Sequence, residues 1–184
     1  MSEPLESSSG TPLQIDHRLT DNTAQAIGPK LALRRWARNQ LTDSMVAVVD
    51  VFPGERVMRR GWPKATFTEG IPVAPISFDA IDADPYGDPW AALCAVAACR
   101  RSDGPLAVVW TDGTGIDQRL TGGLSEALQR LTGIEPARGL ARRGVWERIQ
   151  RSALDGFAGE LDMTVDVMRW SAYRNLFYAA ALLH

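Results

Sequence analysis

Residues 105–128 read Pro105-Leu106-Ala107-Val108-Val109-Trp110-Thr111-Asp112-Gly113-Thr114-Gly115-Ile116-Asp117-Gln118-Arg119-Leu120-Thr121-Gly122-Gly123-Leu124-Ser125-Glu126-Ala127-Leu128. Leu106 to Trp110 is apolar at every position, which suits a strand covered on both faces rather than one with a wet side. From Thr111 to Gly123 glycine, threonine and aspartate concentrate, the composition of a crossing between elements. A helix follows from about Gly122 to Thr132, and Gly133 stands where a left-handed terminal cap belongs. A buried strand between two helices places Pro105 to Asp112 at the centre of a mixed sheet, so the fold class is α+β or α/β. In an open sheet the carboxyl end of such a strand is the default place for a ligand.

On the N-terminal side, Asp88-Pro89 forms a helix start, with the carboxylate as cap and proline at the first position. The helix Trp90 to Arg101 is apolar nearly all round and belongs in the interior. Before it, Ile71 to Phe78 is extended but carries Pro72 and Pro75, which confine it to a sheet edge or a loop. Ala65 to Thr68 reads as a short strand. Met45 to Phe52 is β-branched and reads as another, and Pro53-Gly54 suits a type II turn. Glu55 to Arg60 returns as the partner, giving a β-hairpin near residues 45–60. A helix opening near Thr23 or Pro29 runs to Leu41. On it Lys30, Arg34 and Arg38 share one side, with Arg35 beside them. A solvated face is the expected use of these charges, and a patch for phosphate or an acidic partner is the sharper one.

On the C-terminal side, Pro136 to Arg143 and Val145 to Ala158 read as a broken helical pair, with Trp146, Ile149, Ala153 and Phe157 as the core stripe. Leu161 to Trp170 fits strand and helix equally. Ser171 reads as the cap of a closing helix that carries Tyr173, Leu176, Phe177 and Ala180 on one face. The expected organisation is a flexible tail over 1–22 and a single α+β domain over 23–184. Its mixed sheet has about five strands, with four to six helices against it.

The 184 residues are 45% hydrophobic and 23% charged, enough apolar material for one sizeable core. A formal charge of −2 argues against nucleic-acid binding through bulk electrostatics. No apolar run is long enough to span a membrane, and the start of the chain lacks a signal-peptide pattern, so a cytoplasmic protein is expected. Cys94 and Cys99 point to different faces of one helix, which suits free cysteines acting as small buried hydrophobes rather than a disulfide.

Histidine bounds the chemistry. The chain has only 2, His17 in the presumed tail and His184 at the end. Neither position suits a Ser-His-Asp or Cys-His mechanism, which needs a rigidly held imidazole. Any catalysis then rests on carboxylates, arginine, threonine or backbone amides, and the candidates are Asp112, Asp117, Arg119 and Thr121. The backbone of Gly113, Gly115, Gly122 and Gly123 is the candidate ligand cradle, and Trp62, between Gly61 and Pro63, is the tryptophan expected to be exposed on a pocket wall or partner surface. Asp79, Asp82, Asp84 and Asp88 offer oxygen ligands of the kind Mg²⁺ or Ca²⁺ takes. However, counting from Asp82, Leu93 falls where an EF-hand needs glutamate, and no metal site is expected. Asp112 and Asp117 would repel a phosphate bound at the crossing.

Arg119-Leu120-Thr121-Gly122-Gly123-Leu124 resembles the pyrophosphate loop of the GCN5-type acetyltransferases over six residues, with Leu124 where that loop has a small residue. The resemblance implies an acyl-CoA ligand. Two functions follow. The first is a binding or accessory protein that recognises a protein partner, a second copy of itself or a small anionic ligand. The second is a small transferase acting on a nucleotide or acyl-CoA, with its site along 111–123. The sequence specifies no cofactor.

Overall fold

The computed structural model describes residues 24–54, 56–85, 87–112, 124–134, 143–173 and 176–184. In chain order the elements are α1 (Ala24–Gln40), β1 (Val46–Asp50), a 3₁₀ turn (Val57–Gly61), β2 (Ala65–Glu69), β3 (Ala80–Ala83) and α2 (Trp90–Ala97). They continue with β4 (Leu106–Asp112), α3 (Glu126–Thr132), α4 (Arg143–Glu160), β5 (Val165–Tyr173) and β6 (Leu176–Leu183). One 6-stranded sheet takes the order β2-β1-β3-β4-β6-β5. Strands β1 to β4 run parallel, while β6 is antiparallel to both β4 and β5. The fold is therefore α/β, an open mixed sheet covered on both faces.

Each face has its own core. On one side α2, α3 and α4 cover Val49, Ile81, Val108 and Trp110, and Trp90 packs against Trp110 with ring centroids 5.4 Å apart. On the other, α1 and Trp62 cover Val46, Val48, Ala80, Ala107 and Val109. β4 is buried at all seven positions, as its unbroken apolar run requires. Ser125 caps α3 by accepting the Leu128 N–H, and Gly133 closes it at φ 64°. Trp146, Ile149, Ala153 and Phe157 are all buried. No described helix is long and apolar enough to cross a membrane.

Several expectations are corrected. Residues 45–60 form no hairpin: β1 pairs with β2 in parallel, Val46 opposite Ala65 and Asp50 opposite Glu69. Fourteen residues separate these strands, long enough for a parallel crossover. Within that crossover Trp62 is buried, only 2% exposed, so it is not a surface tryptophan. The closing helix is instead β6, preceded by β5, in which Ser171 pairs with Tyr178. Every position from Leu176 to Leu183 is apolar, so a helical stripe can be drawn through a strand that is buried on both faces. Phe177, Ala179 and Ala181 enter one core, and Tyr178, Ala180 and Leu182 the other. The sheet has six strands, in keeping with the mixed sheet of about five that was expected. Cys94 and Cys99 are free but only partly buried. The expected tail over 1–22 and the helix over 136–142 lie outside the described residues.

Candidate functional site

The parallel strands share a sequence rule: each ends in a carboxylate. β1 closes on Asp50, β2 on Glu69 and β4 on Asp112, while β3 is followed at once by Asp84. Because the strands are parallel, these four acids collect along one edge of the sheet. Between β1 and β3 lies the switch point, since the chain moves from β1 outward to β2 and then returns to the opposite side to form β3. Ligands of open α/β sheets bind outside the carboxyl ends of the strands at such a point.

Asp82 joins this row from within β3. Register places Glu69 beside Asp50 and Asp50 beside Asp82, so the three side chains project from the same face. Cations from α1 and the 3₁₀ turn meet them there. Arg34 grips Asp82 with two hydrogen bonds, Nε to Oδ2 and Nη2 to Oδ1, each 2.7 Å. Trp62 Nε1 adds a third at 2.7 Å to Oδ2. Arg34 Nη2 also reaches Asp84 at 3.3 Å, and Lys30 Nζ holds both Asp84 oxygens at 2.9 and 3.0 Å. Further out, Arg59 bridges Asp50 at 2.9 Å and Glu69 at 2.8 Å, while Arg56 meets Glu69 at 2.7 Å.

Lys30 and Arg34 are each only 1% exposed, which overturns the solvated-face reading of their helix. Their partners explain the burial: Asp82 and Asp84 lie under the same helix and compensate both charges. The acidic partner that the charge pattern called for lies within this chain. Arg38, in contrast, donates to the main-chain carbonyls of Pro63, Leu41, Asp43 and Ser44 and so ties α1 to the start of β2 and of β1.

Burial sets the protonation of these groups, with nearby charge correcting it. Desolvation, reinforced by the Asp82 charge, pushes the Asp50 carboxyl up to about 6, despite the hydrogen bond from Arg59. Desolvation also pushes Asp84 up, but Arg34 and Lys30, with the hydroxyl of Thr111, outweigh it and hold Asp84 below the usual carboxylate range. Glu69, 41% exposed at its side chain, is likewise held low, chiefly by the hydrogen bond from Arg59.

On the opposite face Asp112 is buried, at 1% exposure, and accepts from Gln150 Nε2 at 2.7 Å. Of the residues singled out from the sequence, Asp112 is at the strand ends and Trp62 beneath them, supporting Asp82. Asp117, Arg119, Thr121, Gly113, Gly115, Gly122 and Gly123 lie outside the described residues. The four aspartates weighed as metal ligands part ways. Asp79 accepts from the Ala47 N–H, Asp82 and Asp84 take Arg34 and Lys30, and Asp88 accepts from the Trp90 N–H. Among the described residues no group of three or more metal-binding side chains forms. Sequence reasoning passed over Glu69 as a site residue and weighed Asp84 only as a metal ligand. The missed signal was the recurrence of a carboxylate at or just after the end of each of four strands.

No protein-family model matches the chain, and no curated protein matches it. Solved structures do. Trm1 from Pyrococcus horikoshii, in a structure with S-adenosyl-L-methionine, superposes with a TM-score of 0.55 at 16% identity over 97% of this chain. A hemolysin candidate from Streptococcus thermophilus gives a TM-score of 0.50 at 12% identity over 85% of it. This chain spans 58% and 65% of their respective lengths. At these identities the shared property is the fold.

Proposed function

We propose that the protein is a transferase-type enzyme whose acidic strand edge binds a cationic adenosyl cofactor of the S-adenosyl-L-methionine class. The observation that carries this reading is the carboxylate at the end of each of four parallel strands, Asp50, Glu69, Asp84 and Asp112, around the switch point. Such an edge disfavours phosphate, the anion first considered for the glycine crossing. It suits a ligand with ribose hydroxyls, an ammonium and a sulfonium. The fold shared with Trm1, whose structure contains S-adenosyl-L-methionine, supports the same choice and favours the transferase reading over that of an accessory binding protein.

The donor set fits such a cofactor. Glu69, the exposed carboxylate at the end of β2, stands where dinucleotide-binding sheets keep an acid for ribose hydroxyls. Gly54, just beyond β1 at φ 31°, lets the backbone turn without a side chain at the switch point. When bound, the cofactor supplies an activated methyl group for transfer to a nucleophile. The chain contributes binding and positioning: Glu69 accepts hydrogen bonds, while Asp84, compensated by Lys30 and Arg34, fixes α1 over the strand ends.

Thermal unfolding and calorimetry with S-adenosyl-L-homocysteine test the reading. At a ligand concentration a hundredfold above Kd the melting temperature should rise by about 5–11 °C. Glu69→Gln should weaken affinity roughly tenfold, because a neutral amide accepts hydroxyl protons less strongly than a carboxylate. A wild-type chain that gives neither binding heat nor a melting shift at millimolar ligand would remove the proposal.

A further inference from the structure

A buried polar chain joins α4 to the end of β4. Trp110 Nε1 donates to Gln150 Oε1 at 2.9 Å, and Gln150 Nε2 donates to Asp112 Oδ2 at 2.7 Å. Trp110 and Gln150 are 0% exposed and Asp112 is 1% exposed. An indole only donates, so it selects the oxygen of the amide and leaves the nitrogen to face the carboxylate. A carboxylate only accepts, which enforces the same orientation from the other end. The direction of the chain is thus settled by its chemistry.

Alternation along β4 places Trp110 and Asp112 on the side covered by α2, α3 and α4. Thr111 turns the other way, where its hydroxyl meets Asp84. The end of β4 therefore supports one strand-end carboxylate on each face of the sheet. α4 already has an apolar stripe in Trp146, Ile149, Ala153 and Phe157, and hydrocarbon at positions 110, 112 and 150 together would extend that core. An indole, an amide and a carboxylate in their place must all be desolvated and gain little stability over such a hydrocarbon set. What the arrangement does secure is the placement of one carboxylate at the ligand edge.

We propose that Gln150 is a positioning residue: from α4 it holds the Asp112 carboxylate in place at the carboxyl end of the central strand for contact with the bound ligand. This rests on the reading of that edge as an adenosyl-cofactor site. Trp110 is the second link, since its N–H keeps the amide from turning its oxygen toward Asp112, where two acceptors would face each other.

Calorimetric titration of the full chain with S-adenosyl-L-homocysteine, well below the melting temperature, tests the assignment. Three variants are compared with wild type: Gln150→Leu, Gln150→Glu and Phe157→Leu. Gln150→Leu should keep the wild-type circular dichroism spectrum and weaken affinity about tenfold to a hundredfold, the usual cost of losing a hydrogen bond to a charged acceptor. Gln150→Glu sets two carboxylates face to face, so its affinity should fall further as pH rises from mildly acid to mildly alkaline. Phe157→Leu loosens the same helix–sheet contact and should lower the melting temperature while leaving affinity unchanged. Wild-type affinity in Gln150→Leu would overturn the proposal, as would an equal loss in Phe157→Leu, which would make the role merely structural. Should Gln150→Leu not fold, the pH dependence of Gln150→Glu decides. If wild type itself does not bind, the cofactor reading falls and takes this inference with it. If wild type binds and the Gln150 variants match it, the positioning role alone is refuted.

Discussion

Replacing Arg34 by methionine removes a guanidinium that is 1% exposed and makes two 2.7 Å hydrogen bonds to Asp82, one of 3.3 Å to Asp84 and one of 3.1 Å to the Lys30 carbonyl. Methionine keeps most of the aliphatic stem, so the loss is mainly electrostatic. Asp82, itself 4% exposed, keeps the Trp62 N–H but loses its counter-charge. Breaking a buried pair from one side costs about 3–5 kcal/mol, because the surviving charge remains desolvated. For a chain of this size that lowers the melting temperature by roughly 6–20 °C. Circular dichroism melts and urea titrations would measure it. The mechanism makes a sharper demand on the double variant. Adding Asp82→Asn removes the stranded charge while keeping an acceptor for Trp62, so Arg34→Met/Asp82→Asn should recover half or more of the loss. A single variant within about 1 kcal/mol of wild type, or a double variant as unstable as the sum of the singles, would refute the account of α1 as a helix held down by buried charge.

The Asp50 carboxyl, with a folded value of about 6 against a usual 3.8, binds its proton more tightly in the folded state. Its contribution to stability is therefore full below about 3.8 and lost as pH rises through 6. Allowing for solvent screening of a partly exposed group, the swing is about 1–2 kcal/mol. Urea midpoints at pH values either side of 6 should show Asp50→Asn gaining on wild type at the higher pH, and a gap that does not change with pH would contradict this. Two glycines of α4 should respond oppositely to alanine. At Gly156 a Cβ would collide with the Leu131 carbonyl oxygen, so Gly156→Ala should push α3 away from α4 at a cost of about 1–3 kcal/mol. At Gly159 the space is open, and Gly159→Ala should stabilise by about 0.5–1 kcal/mol through helix propensity. Equal melting temperatures for the two variants would count against the close approach of α3 to α4 at Gly156.

Legibility along the chain followed how far each signal reached. The strand at 106–112 was readable because a two-faced core needs an unbroken apolar run, and the end of α3 because Gly133 marks it, whereas its start, read near Gly122, falls at Glu126 after the Ser125 cap. The stripe of Trp146, Ile149, Ala153 and Phe157 was readable because its helical period is interrupted by polar residues. At Leu176–Leu183 no polar residue interrupts the run, and helix and strand patterns coexist. Only a place between β4 and β5 selects the strand. Met45 to Gly54 carried a strand and a turn, both local properties. Whether the chain then came back antiparallel or crossed over to a parallel neighbour depended on Trp62 finding its seat under α1, against Asp82, 20 residues on.

The candidate site divides in the same way. The amino-acid sequence by itself determined that strands are repeatedly closed by acids and that Asp112 ends the central strand. Tertiary structure decided that β1 to β4 are parallel, and parallel strands deliver the acids to one edge where a hairpin would have sent two of them to opposite ends. It also decided the use of Lys30 and Arg34. Their spacing makes a charged stripe in either case. Only contact with Asp82 and Asp84, about fifty positions away, makes burial possible, because a buried cation is tolerated only beside the anion that compensates it.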